Sequence, residues 1–182
     1  MYLDVLNNID STSVALDGRD LFKRTRPVCP ANTIVDMGAQ RVSAAGTIMC
    51  SVGFHGCTGV VVIGAGAHTP KIVGHIAPTT IAAQQTAIVG LIATTFGQAA
   101  HTVYLIQPAL NVAPHGGHLT VPQATQNTAI TTMNSQTRVW AQTLGASVVI
   151  RNFGTGTAAA DGELEVDPSN NIYVNAKNTP IN

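Results

Sequence analysis

The chain has 182 residues, 45% of them apolar and only 10% charged, with nine Lys and Arg balanced by nine Asp and Glu. That length and apolar content suit one domain, residues 1–182, with a single substantial core. Zero net charge, scattered cations and eight aromatics (one Trp, three Tyr, four Phe) argue against the clustered positive surface and stacking platform that nucleic acid requires.

Residues 1–8 lack a basic start and an apolar centre, so no classical secretory signal is expected. The first thirty residues read as an irregular wrap, with Arg19, Lys23, Arg24 and Arg26 on a solvated loop and Pro27 and Pro30 punctuating its end. Residues 33–35 and 41–54 read as strands, the second interrupted at Gly46. Cys29, Cys50 and Cys57 are an odd number without framework spacing. At least one thiol is therefore free, and a reducing compartment is the simpler reading.

The most informative stretch follows. Cys57 sits in Gly56-Cys57-Thr58-Gly59, directly before Val60-Val61-Val62-Ile63, and His75 lies in Lys71-Ile72-Val73-Gly74-His75-Ile76. The intervening residues 64–70 are rich in Gly, Ala and Pro, which predicts a hairpin. A turn centred near residues 65–67 sets Cys57 and His75 roughly level at its open end.

After Pro78, Thr79 or Thr80 caps a helix whose apolar positions are Ile81, Ile88, Leu91, Ile92 and Phe96. Gln84, Gln85, Thr86, Thr94 and Thr95 interrupt residues 81–100, so no membrane span is expected there. A strand over 102–106, a loop over 108–120 and a second helix over 121–144 follow, the helix carrying Ile130, Met133, Trp140 and Leu144 and ending at Gly145. Strands over 147–153 and 162–166 and an extended piece at 172–174, after the Asn170-Asn171 turn, close the chain. Clustered strands with two helices predict an α+β fold, a mixed sheet or β-sandwich flanked by the helices.

A thiol beside an imidazole is the minimum machinery for nucleophilic catalysis, and Cys57 needs such an activator because an ordinary thiol is only slightly ionised at neutral pH. His75 is the candidate base. Ser51, Thr47 or a backbone carbonyl would orient it, and amides of Gly56, Cys57 or Thr58 would receive an oxyanion. A competing arrangement takes His55, Cys57, His68 and His75 as a zinc site, although the spacing of paired ligands is missing. His115 and His118 read as solvated loop residues. Few charges and many Thr and Asn also suit a non-catalytic interaction or structural module.

The order Ser51, Gly56-Cys57-Thr58, an apolar strand, a turn, then Gly74-His75-Ile76-Ala77-Pro78 and Thr79-Thr80 resembles the bacterial protein-glutamine deamidases. These include the catalytic domain of cytotoxic necrotizing factor, the chemoreceptor deamidase CheD and Burkholderia lethal factor. The resemblance covers about thirty residues. It implies a deamidase-like cysteine hydrolase fold, with Cys57 as nucleophile and His75 as base, acting on a glutamine of a protein substrate without cofactor or metal. Ser51 stands where CheD carries a threonine. The resemblance also implies a soluble toxin, effector or housekeeping enzyme, working in the bacterial cytoplasm or delivered into a host cell.

Overall fold

A computed structural model describes residues 29–54, 56–66, 69–110, 122–144, 147–153, 163–174 and 180–182. In chain order these form a 3-10 turn (Ala31–Thr33), β1 (Gln40–Ser43), β2 (Met49–Ser51), β3 (Thr58–Gly64), β4 (Lys71–Ile76), α1 (Ile81–Thr95), β5 (His101–Pro108), α2 (Gln123–Gln142), β6 (Ser147–Phe153), β7 (Leu164–Val166) and β8 (Ile172–Val174).

The β-branched run of β3 is the centre of a five-stranded sheet ordered β1-β4-β3-β5-β6. Every residue of β3 and β4 is buried, since both strands are covered on both faces, and such strands show no polar alternation. All neighbours pair antiparallel except β5 and β6, which run parallel and are connected through α2, as parallel neighbours require a crossover. A second, antiparallel sheet is ordered β2-β7-β8. The architecture is α+β, with a mixed sheet between a small sheet and two helices.

Alternation along β3 sorts the core into two clusters. Val60 and Val62, with Ile72, Ile76, Val103 and Leu105, meet Ile88 and Ile92 of α1 and Ala141 of α2. Val61, Ile63, Val73 and Ile106 turn the other way, onto Met49, Leu164, Val166, Ile172 and Val174 of the small sheet. Full burial of each such aliphatic side chain stabilises the fold by about 1.5–3 kcal/mol. Both faces of the large sheet are therefore needed as core.

Several sequence expectations change. Residues 33–35 are not a strand; the 3-10 turn occupies their start, and Ile34 makes an isolated parallel bridge to Cys50. Residues 41–54 are not one strand. The chain turns at Gly46, whose φ of 76° is a left-handed conformation suited to glycine, and β1 and β2 enter different sheets. The bridge lays residues near Cys29 along β2, and Cys29 is disulfide-bonded to Cys50 across a sequence separation of 21. Cys57 is a free thiol, as the odd count requires, but the inference of a reducing compartment loses its basis, because disulfides persist in oxidising surroundings.

At the closed end of the hairpin, Lys71 is fully buried and spans the two sheets. Its Nζ donates to the Asp167 carbonyl (2.5 Å) and to Asn170 Oδ1 (3.0 Å). Burial pushes this amine down to about 8, against the opposing charge of Asp167. No helix among the described residues is long and apolar enough to cross a membrane. Most of the expected N-terminal wrap, with its basic group, and the small-residue segment 155–160 lie outside the described residues, as does Gly145.

Candidate active site

The hairpin register decides whether Cys57 and His75 share a face. Gly59 pairs with His75 and Thr58 with Ile76, so continuing one residue sets Cys57 opposite Ala77. Paired residues project to the same side and side chains alternate along a strand. Cys57, two residues before Gly59, therefore lies on the same face as His75, diagonal to it rather than level as the turn count suggested. Both face the small sheet: Cys57 belongs to that core cluster together with Phe54, and Phe54 stacks on His75.

His75 is fully buried and held from several directions. Its N–H donates to the Ala39 carbonyl (2.9 Å), and its carbonyl accepts from Gly38 N (3.0 Å) and Gln84 Nε2 (2.9 Å). The Phe54 ring stacks on the imidazole with centroids 3.9 Å apart and planes 19° apart. Gly59 makes room for that ring, since a Cβ there would stand 3.2 Å from Phe54 Cε1 and 3.1 Å from Leu164 Cδ2. Nδ1 lies 3.0 Å from Ser51 Oγ, also fully buried.

The hydrogen-bond network assigns the tautomer. Ser51 has one hydroxyl proton and donates it to the Val35 carbonyl at 2.5 Å. Toward His75 it is left only to accept, so the proton of the neutral ring sits on Nδ1. Nε2 then carries the lone pair, is shielded from solvent, and has no hydrogen-bond partner among the described residues. This is the tautomer a general base needs.

Burial governs the ionisation of both groups. It pushes the Cys57 thiol up to about 11, partly offset by the Gly56 amide directed at the sulfur, and the side chain is only 5% exposed. It pushes His75 down to about 4, with the Asp36 charge opposing. At neutral pH both are uncharged, and a standing thiolate–imidazolium pair is disfavoured. Sulfur and Nε2 are not hydrogen-bonded to each other.

Of the expected orienting groups, Ser51 meets His75. Gln84 was not foreseen. It is buried in α1 with Oε1 accepting from Ala77 N (2.8 Å) and Thr80 Oγ1 (2.9 Å), so it clamps the strand end that carries His75. Its signal was available: the four-residue step from Ile92 to Ile88 lands on Gln84. Phe54 was likewise unforeseen. For the zinc arrangement, His55 and His68 lie outside the described residues, as do His115 and His118, and no group of three potential ligands occurs among the described residues. No protein-family model matches the chain, and no curated protein matches it.

Proposed function

We propose that this protein is a cysteine-dependent amidohydrolase that deamidates a glutamine side chain of a protein substrate. One observation carries the reading: Ser51 holds His75 by Nδ1 and leaves Nε2 free to accept a proton, on the face where Cys57 lies. The resemblance to the deamidases supplies the substrate class.

In the mechanism, Sγ of Cys57 bonds to the amide carbon as its proton passes to Nε2 of His75. Nε2–H then protonates the amide nitrogen, the C–N bond breaks and ammonia leaves a thioester. Water attacks the thioester with Nε2 again taking the proton, and collapse returns that proton to sulfur and releases glutamate. Because both groups start neutral, charge develops only during attack. Ser51 steadies the imidazolium through Nδ1–H, as the third member of a nucleophile–base–orienter set.

The test is ammonia release and a mass gain of about 1 Da on glutamine-bearing proteins, as hydrolysis of the acyl-enzyme requires. Cys57→Ser and His75→Gln each abolish it with the fold retained. Normal turnover by either variant refutes the assignment.

The burial of Cys57 and His75 favours a second reading, a non-catalytic interaction or structural module in which both are core residues. Iodoacetamide separates the two. An amidohydrolase must open to admit its substrate, so Cys57 is alkylated in the native state and activity is lost in parallel; a packed core thiol reacts only on unfolding.

A further inference from the structure

A cleft of about 380 Å³ with mixed walls opens where β5 and β6 end, lined by Pro108, Ala109 and Leu110 on one side and by Asn134, Ser135 and Arg138 on another. Its α2 walls place it on the helix side of the large sheet, while Cys57 and His75 face the small sheet; what the two share is the strand end, where Pro108 closes β5 two residues after Ile106, the partner of Gly59.

Two features of the cleft are built rather than incidental. Arg138 is exposed but oriented: its Nε donates to Gln107 Oε1 (2.9 Å), and fully buried Gln107 is fixed in turn by Nε2 bonds to the Asn134 carbonyl and Thr137 Oγ1, both 2.8 Å. The Nη groups find no acceptor among the described residues. Asn134 donates Nδ2 to the Pro108 carbonyl (3.0 Å), while its Oδ1 is shielded from solvent with no donor.

The sequence adds a charge argument. No Asp or Glu occurs between Asp36 and Asp161, the stretch that supplies the described walls of the cleft, so none of those walls carries a counter-charge to Arg138. A forked guanidinium pairs best with a carboxylate.

We propose that this cleft docks the peptide flanking the target glutamine and selects a segment bearing an Asp or Glu, whose carboxylate pairs with Arg138. Its link to catalysis rests on the amidohydrolase reading. Its binding chemistry does not.

The experiment uses the full chain carrying Cys57→Ala and blocked, fluorescein-labelled nonapeptides with a central glutamine flanked by glutamates, alanines or lysines. Fluorescence polarisation is expected to show the glutamate peptide binding about tenfold more tightly than the alanine peptide, the scale of one charge-assisted pair. Arg138→Gln removes the difference. Ser135→Glu, an exposed change that places a like charge in the cleft, removes it independently of Arg138. Equal affinities, no binding of any peptide, or a preference that survives both variants overturns the proposal. Ammonia release by the unmodified chain separates the two readings: equal turnover of all peptides sinks the docking site and keeps the enzyme. Arg138-dependent binding without turnover does the reverse.

Discussion

Acid should weaken this protein through His75 by an amount the structure sets. The ring is fully buried and its pKa falls from 6.5 to about 4. Between those values the unfolded chain binds a proton that the folded protein does not. Stability therefore rises with pH through that window and is lost as pH falls from about 6.5 toward 4. A difference of that size corresponds to about 3 kcal/mol. To isolate this one ring the measurement is a difference: urea unfolding of the native chain and of His75→Gln at half-unit steps from pH 4 to 7.5. The gap between the two free energies should widen by about 3 kcal/mol from the acid end to the neutral end. A constant gap would refute the claim that His75 is buried neutral, and with it the tautomer argument, since a solvated ring has no reason to hold its proton on Nδ1.

Three further outcomes follow from the same geometry. Ser51→Ala leaves the Val35 carbonyl and His75 Nδ1 without this hydrogen-bond partner and should cost about 2–4 kcal/mol in urea unfolding, while nitrogen NMR of the ring shows loss of the single tautomer. Gly59→Ala puts a Cβ 3.1–3.2 Å from Leu164, Ile106 and Phe54 together and should lower stability by about 1–3 kcal/mol; Gly74→Ala meets chiefly the flexible end of Ile88 at 2.9 Å and should cost less. Lys71, pushed down from 10.5 to about 8, stays unprotonated in the folded state between those values while the unfolded chain is protonated. Its contribution to stability should therefore rise by up to about 3 kcal/mol from pH 8 to 10.5, a rise that Lys71→Met lacks.

The hairpin could be read from the chain because long β-branched runs flank a cluster of turn residues, and the helices because their apolar steps repeat. What failed were short elements and polar contacts. β1 and β2 are four and three residues long, too short for alternation to reveal that they join different sheets. The register could not be counted from the turn, since a two-residue offset keeps every side chain on its face. Ser51 was a candidate by spacing, yet the Val35 carbonyl that fixes its hydroxyl comes from 16 residues upstream, through a bridge no local pattern announces. Gln84, Gln107 and Lys71 look like surface residues by type. Each is buried because its polar end reaches a backbone or side-chain group of another element.

The site straddles the seam between the sheets, and that placement bears on why His75 is a histidine at all. Ser51 belongs to the small sheet, His75 to the large one, and Cys57 ends the segment that crosses between them. Nδ1 can meet Oγ only while the sheets stay packed through Leu164, Val166 and Ile172. A ring needed only to fill this seam and stack on Phe54 would be better served by an apolar residue of similar shape, because burying an imidazole with Nε2 unmatched costs about 1–3 kcal/mol. The protein instead satisfies Nδ1, the backbone N–H and the backbone carbonyl of this residue, while Nε2, the one atom able to accept a proton, has no partner among the described residues. A packing role accounts for the stack and the burial; in the proposed mechanism the unmatched Nε2 is the atom that takes the proton of Cys57.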